Sequence, residues 1–381
     1  MTPRQRAAAR AAIAGLSLAA LAACGGNGPN ESPEPESAAT PSATVTAEGR
    51  PSARASTTAG WQPARLSGPE VLATGLEVPW GLAFLPDGTA LISERDSGRI
   101  LQLRPGSRPR EVARLTESDA RGEGGLLGIA VSPDYDTDRL VYAYYTTAED
   151  NRIARFRLGE RPRPILTGIP AAGFHNGGRI AFGPDGFLYA GTGDAGQQSL
   201  SQDPGSLGGK VLRMTADGRP APGNPDGTLV WTLGHRNVQG LAWDDARRMY
   251  ATEFGQNTFD EVNLLRAGSN YGWPRVEGKG GDQRFTDPVV TWGTAEASPS
   301  GAAIAGGNLY VAALRGERLW QVQLGNGGVR GTRPLLQGQF GRLRHVAYGP
   351  DGALWLLTSN RDGRGDPVAA DDRVIRIPVP R

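Results

Sequence analysis

The sequence predicts an all-β protein, a six-bladed β-propeller of four-stranded antiparallel blades whose last blade is closed by the N-terminal strand. Three observations predict it. The 381 residues include 55 glycines and 29 prolines, and no long alanine- or leucine-rich run follows residue 60, a composition of turns and short strands rather than helices. The segment after the N-terminal region repeats itself six times. The sixth copy lacks one strand, and an unassigned strand stands ahead of the first.

The copies run in order from "GLAFLPDGTALISERDSGRILQL" and "GIAVSPDYDTDRLVYAYYTTAEDNRIARFRL" to "RIAFGPDGFLYAGTGD", which "GKVLRM" completes. "GLAWDDARRMYATEFGQNTFDEVNLL", "GAAIAGGNLYVAALRGERLWQVQL" and "HVAYGPDGALWLLTSN" follow, the last completed by "DRVIRI". One alanine anchors each copy: Ala83, Ala130, Ala181, Ala242, Ala303 and Ala347. Each copy reads as three strands. A fourth precedes the next copy as "EVARL", "PILTGI", "LVWTLG", "PVVTW" or "PLLQGQ". Units of this length repeated six times describe propeller blades. The strand "EVLATGL" (Glu70 to Leu76) supplies what the last copy lacks and removes an unpaired edge. Small residues suit innermost strands crowded around an axis.

Ahead of the repeats, Arg4, Arg6 and Arg10 precede an apolar run ending "LAAC" at Leu21 to Cys24. This reads as an export signal over residues 1–23, too short for a resident membrane span. Cys24, the sole cysteine, stands where bacterial lipoproteins carry the lipidated residue; an ordinary signal peptide with a chance cysteine is the alternative. Localisation is expected in the cell envelope, periplasmic or at the surface, with membrane contact only through an N-terminal lipid anchor. Residues 24–67, rich in Pro, Ser, Ala and Thr, read as a flexible tether, leaving 68–381 as the propeller. The formal charge of +2 and scattered arginines give no nucleic-acid surface.

Adjacent strands of a blade are antiparallel, so the start of each innermost strand and the end of its neighbour share one face of the ring. Those positions collect Trp80, Glu123, His175, Arg236 with Asn237, Ser298 to Gly301, and Arg342 with Arg344. They also collect Asp194, Gly255 with Gln256, Arg315 and Asn360. The opposite face shows only turn formers such as "PDG" and "AGGN". His175 and Asp194 therefore meet in one blade as a general-base pair. The surrounding arginines favour a multiply anionic ligand. His235 and His345 read as structural. No G-x-S-x-G elbow offers a nucleophile.

The motifs "EGGLLGIAVSPDY", "HNGGRIAFGPDGFLYAGTGD", "LGGKVLRM", "TLGHRNVQGLAW", "EFGQNTFDEVNLL", "NYGWP" and "GRLRHVAYGPDG" occur in order from about residue 70 to the C-terminus. Together they resemble the soluble pyrroloquinoline quinone (PQQ) dependent glucose dehydrogenases, and the short loops look closer to their aldose sugar dehydrogenase relatives. The resemblance implies PQQ and calcium as cofactors and aldose sugars as substrates. The reaction it implies is oxidation at C1 to lactones, with electrons leaving to an unidentified acceptor. It makes His175 the base, Asp194 its partner, and Arg236 with Asn237 the contacts to the reactive end of PQQ. Arg342 and Arg344 match an arginine pair that binds PQQ carboxylates. Main-chain carbonyls of Gly255 and Gln256 match ligands of a calcium shared with PQQ; Glu261 and Tyr271 match a second, structural calcium, and Trp292 a sugar contact or a packing residue.

Three departures stand out. Arg315 replaces a lysine of the cofactor site, Glu123 replaces a glutamine there, and Phe174 replaces a sugar-binding aspartate, which loosens the expected sugar selection. A carboxylate at position 123 beside an anionic quinone must be protonated, water-separated or paired with an arginine. Two other classes fit the propeller alone. A calcium-dependent lactonase needs converging carboxylates where this funnel offers arginines. A non-catalytic binding propeller does not explain retention of the His–Asp pair.

Overall fold

The computed structural model describes residue 66 and residues 68–326 and 328–379. The signal segment, Cys24 and all of the tether read at 24–67 except Leu66 lie outside the described residues. Leu66 itself packs half-buried against the apolar cluster that includes Leu343 and Val346.

Six separate four-stranded antiparallel sheets make up the ring. From the axis outward, the first blade comprises Pro79–Phe84, Ala90–Glu94, Arg99–Leu103 and Arg110–Arg114. In the sixth, Leu343–Tyr348, Ala353–Thr358 and Val374–Pro378 are completed by Glu70–Ala73, which pairs antiparallel to the last of them. Ring closure by the N-terminal strand is therefore observed. Innermost strands of neighbouring blades contact one another closely except between the third and fourth blades, where Val238–Trp243 packs on Leu188–Gly191, and the last, Leu343–Tyr348, meets the first, Pro79–Phe84.

Close approach at the axis explains the small residues. A Cβ on Gly240 would lie 2.3 Å from the Ser300 carbonyl, and one on Gly128 would lie 2.2 Å from that of Gly178. Apolar side chains of facing blades fill the spaces between sheets, as where Trp292, Trp320 and Leu309 share one cluster. In the fifth blade the outer strand runs Gly328–Leu335, so "PLLQGQ" contributes only Pro334 and Leu335 and then turns. That edge strand alternates exposed and half-buried residues and contains two glycines and a proline, which read as loop until pairing with Arg318–Gly325 fixes it.

One irregularity positions the site. The innermost pairing shifts register between Pro79 and Gly81, Val238 and Gly240, Pro299 and Ala302, and Leu343 and His345. Each bulge leaves a residue without a ladder partner near the strand's start, and so re-aims Trp80, Gln239, Ser300 and Arg344. Four blades thereby deliver polar or aromatic groups to one level of the axis.

Candidate active site

His175 sits in the glycine-rich loop that leads into the third blade. Its φ of +58° is left-handed, a region costly for a side chain with Cβ and held only by its surroundings. Three contacts hold it. Its N–H donates to Glu123 Oε2 at 3.0 Å, its carbonyl accepts from Ala195 N at 3.1 Å, and its Nδ1 lies 2.7 Å from Asp194 Oδ1. Gly193 packs so closely under this carbonyl that a Cβ there would approach to 1.8 Å.

Asp194 is fully buried. Burial pushes its carboxyl up, but the hydrogen bonds from His175, Gly196 and Trp273 outweigh it and hold the group below its ordinary value. An ionised carboxylate only accepts, so His175 carries its proton on Nδ1. Its Nε2 has no hydrogen-bond partner among the described residues and is the basic atom. The Phe174 ring stands edge-on to the imidazole at 4.7 Å and is 48% exposed.

Beside this pair lies a cavity of about 210 Å³ lined by Trp80, Arg95, Glu123, Gln239, Arg344 and Arg364, among others. Arg342 and Arg344 converge on one carboxylate, with Asp362 Oδ2 at 2.8 Å and 3.5 Å. Burial pushes the Arg344 guanidinium down to about 9, still charged at neutral pH. Glu123 takes the third of its options. Its Oε1 pairs with Arg364 at 2.7 Å, and although burial opposes it, the bonds from His175 N–H and Arg364 hold it below its ordinary value.

Arg236 donates from Nη1 to the Phe254 carbonyl at 3.2 Å and faces the Trp273 ring at 5.5 Å. Its Nε and the Nδ2 of Asn237 are buried donors without a partner, whereas Asn237 Oδ1 accepts from Gly177 N at 2.9 Å. Two unpartnered donors side by side in sequence suit an oxygen acceptor. Arg315 is exposed and pairs with no carboxylate among the described residues; its neighbour Leu314 lines the cavity.

The calcium expectation rests on main-chain oxygen. Among the described residues no three His, Cys, Asp or Glu side chains cluster as a metal site. The Gly255 N–H donates to Asp260 at 2.9 Å and the Gln256 N–H to Glu277 at 2.7 Å, and no described residue donates to either carbonyl. Glu277 Oε1 also takes the N–H groups of Asn257, Thr258 and Phe259, so one carboxylate fixes the turn. Gly255, Glu261, Tyr271 and Glu277 line a void of about 10 Å³, room for one small species. Burial and the adjacent Glu253 push Glu261 up to about 8, a strain that a divalent cation would relieve. The Tyr271 phenol is committed, donating to the Leu264 carbonyl and accepting from Arg266 N, so only its main chain remains as a ligand. The donors fit a hard cation.

Trp292 is the residue that the structure does not bring to this group. It lies in the outer strand Val290–Gly293 of the fourth blade, 6% exposed and stacked at 5.1 Å on Trp320, and blade packing accounts for it. His235 and His345 are both buried. His235 Nδ1 lies 2.7 Å from Glu253 and its ring stacks on Tyr271. Sequence reasoning assigned no role to Trp273, Asp362, Arg364 or Glu277; Trp273 belongs to the quoted "NYGWP", while the others lie in loops without a repeat partner. A larger cleft of about 550 Å³ on the flank, lined by Leu115, Tyr145, Glu160 and Arg161, gathers no comparable reactive pair.

A propeller with a base pair beside an arginine-lined cavity defines a class of ring-shaped oxidoreductases, and the comparisons agree. The model of the Glucose / Sorbosone dehydrogenase family matches residues 76–369, and the chain belongs to that family. A PQQ-bound aldose sugar dehydrogenase from Streptomyces coelicolor is 52% identical with a TM-score of 0.80, covering 84% of this chain and 99% of its own. The aldose sugar dehydrogenase of Escherichia coli is 29% identical over 77% of this chain and 90% of its own length. Quinoprotein glucose dehydrogenase B of Acinetobacter calcoaceticus is 32% identical over 57% of this chain and 54% of its own.

Proposed function

We propose that the protein oxidises aldose sugars at C1 to lactones with PQQ and calcium. The observation that carries this reading is the His175–Asp194 pair, 2.7 Å apart, beside a cavity with two buried arginines. Bound PQQ would supply the two-electron oxidant that receives the C1 hydride. His175 Nε2 takes the proton of the anomeric hydroxyl, and Asp194 steadies the imidazolium that forms. The sugar thus loses one hydride and one proton. Arg342 and Arg344 would hold cofactor carboxylates, and Arg236 and Asn237, whose Nε and Nδ2 are unpartnered, would offer those donors to an oxygen on which negative charge grows. Arg315 extends the cationic rim. Carbonyls of Gly255 and Gln256 serve the calcium at the cofactor, and Glu261 with the Tyr271 main chain serves the second.

The test adds PQQ and calcium to the purified protein and follows reduction of an artificial dye with a panel of aldoses. No dye reduction with any aldose, despite bound PQQ, would overturn the reading. Export rests on the basic start and apolar run over residues 1–23, and anchoring on "LAAC": Cys24 is the lipidation site, and C24A would abolish labelling by a radioactive fatty acid.

A further inference from the structure

Five large hydrophobic side chains stand exposed among the described residues: Val71, Phe174, Phe259, Tyr348 and Val368. A single exposed apolar residue is ordinary and needs no ligand to explain it. Phe174 differs in being clamped beside the base.

It immediately precedes His175, and both peptide groups that flank it are tied to one residue of the cavity wall. The Glu123 N–H donates to the Gly173 carbonyl at 2.8 Å, and Glu123 Oε2 accepts the His175 N–H at 3.0 Å. From that rim the ring reaches past the imidazole, 4.7 Å away and at 88° to it. Its far edge rests on Gly196, where a Cβ would come within 2.7 Å of Phe174 Cζ. Gly196 also donates its N–H to Asp194 Oδ1 at 2.8 Å. The turn that fixes the carboxylate therefore leaves the room the ring needs. Held at both ends, Phe174 still keeps 48% of its surface open.

A phenyl ring offers no polar donor or acceptor. A pyranose carries hydroxyls at its rim and bare C–H groups on its faces, and an aromatic ring packs on the second kind of surface. The base serves the hydroxyl on C1, so a ring packed against that base meets the atoms bonded to C1. Of these, the ring oxygen gains nothing from an apolar neighbour, which leaves C2. Resting on the aldose oxidation proposed above, we infer that Phe174 is a sugar-contacting residue that packs on the C–H surface at C2. The substrate class follows. Aldoses lacking the 2-hydroxyl bind as readily as those that carry it, because Phe174 offers that hydroxyl no bond. A site built to hydrogen-bond it would reject the deoxy sugar by orders of magnitude.

Dye reduction by the enzyme loaded with PQQ and calcium tests this with glucose and 2-deoxyglucose. The two wild-type KM values should agree within about tenfold. F174A should raise both about three- to tenfold, the scale of one aromatic contact. It should leave kcat within about twofold, as loss of a contact made equally before and during reaction does. F174Y, which keeps the ring, should stay near wild type. A ring that merely propped His175 would lower kcat instead. A second readout needs no turnover: 1,5-anhydroglucitol has no anomeric hydroxyl, and its affinity, read by NMR titration, should fall by the same factor in F174A. Unchanged KM and affinity in F174A, a fall confined to kcat, or a wider gap between the two sugars in wild type would each overturn the inference. Absence of wild-type turnover with every aldose, despite bound PQQ, overturns the aldose reading instead, and the titration then still decides whether Phe174 contacts sugar.

Discussion

Asp194 accepts the Nδ1 proton of His175 at 2.7 Å with one oxygen and the indole N–H of Trp273 at 2.8 Å with the other. The base is thus oriented by a carboxylate that is itself fixed by a third side chain. H175A should lower kcat by about 10²-fold or more while PQQ still binds, read by dye reduction and by cofactor titration. D194N can present its amide N–H to Nδ1, favouring the wrong tautomer, and should also cost about 10²-fold. W273F should lower kcat less than D194N, because it removes only the indole donor. Near-wild-type turnover in H175A would remove the base assignment.

Glu123 bears on the same base through the backbone. Its carboxylate holds the His175 N–H at 3.0 Å and pairs with Arg364 at 2.7 Å. E123Q keeps an acceptor for the N–H and loses the ion pair; E123A loses both. The expected order of kcat is wild type, then E123Q, then E123A, with R364Q resembling E123Q. Equal rates in E123Q and E123A would show that the backbone contact does not position the base.

These relationships show what could be read from the chain. The repeat made the ring legible because each blade repeats one order of short strands and turns anchored by an alanine. The His–Asp pair was legible because both residues lie at strand ends whose face the antiparallel pairing fixes. Arg364 was not, since its loop in the sixth blade has no counterpart in other copies and finds Glu123 across the funnel. The bulges were equally silent, although they aim Trp80, Gln239 and Arg344. A one-residue register shift leaves no mark in composition. Trp292 shows the reverse limit: a residue type suited to sugar contact is equally suited to stacking on Trp320.

Asp362 is the common counter-ion of Arg342 and Arg344. Burial raises its carboxyl, but the two guanidiniums and the Arg364 N–H outweigh burial and leave it below its ordinary 3.8. A depressed carboxyl contributes stability that is complete above the unfolded value and fades as pH falls through the folded one. D362N should therefore destabilise the protein at neutral pH, by about 3 kcal/mol for a broken buried pair, and should flatten the acid limb of stability. Urea unfolding at pH 7 and below pH 4 measures both. An unchanged acid limb would contradict the assignment.

R342A/R344A should weaken PQQ binding by about 10³-fold, the effect of two charge-assisted contacts at roughly 2 kcal/mol each. Calcium binding should survive, because the described side-chain bonds of the two arginines go to Asp362, Gln239 and Ser300 and none to the Gly255 turn. Equilibrium titration of PQQ against each variant separates the contributions. R342A alone should weaken binding less than R344A, since only Arg344 lines the cavity. Unchanged PQQ affinity in the double variant would place the cofactor elsewhere.

Glu277 offers the sharpest test of the calcium reading because it is not assigned as a ligand there. Its Oε1 accepts four successive amides, from Gln256 at 2.7 Å through Phe259 at 3.1 Å. Burial opposes ionisation, yet these N–H groups hold the carboxyl below its ordinary value, so at neutral pH it is a charged anchor for the turn. With every amide drawn to one side, the Gly255 and Gln256 carbonyls are left without a described donor. E277A releases that turn and should lower calcium affinity about tenfold, the scale of a supporting residue behind the ligands, measured by isothermal titration. E277Q keeps one neutral acceptor and should fall between. Wild-type calcium affinity in E277A would mean that the Gly255–Gln256 carbonyls are not the ligands.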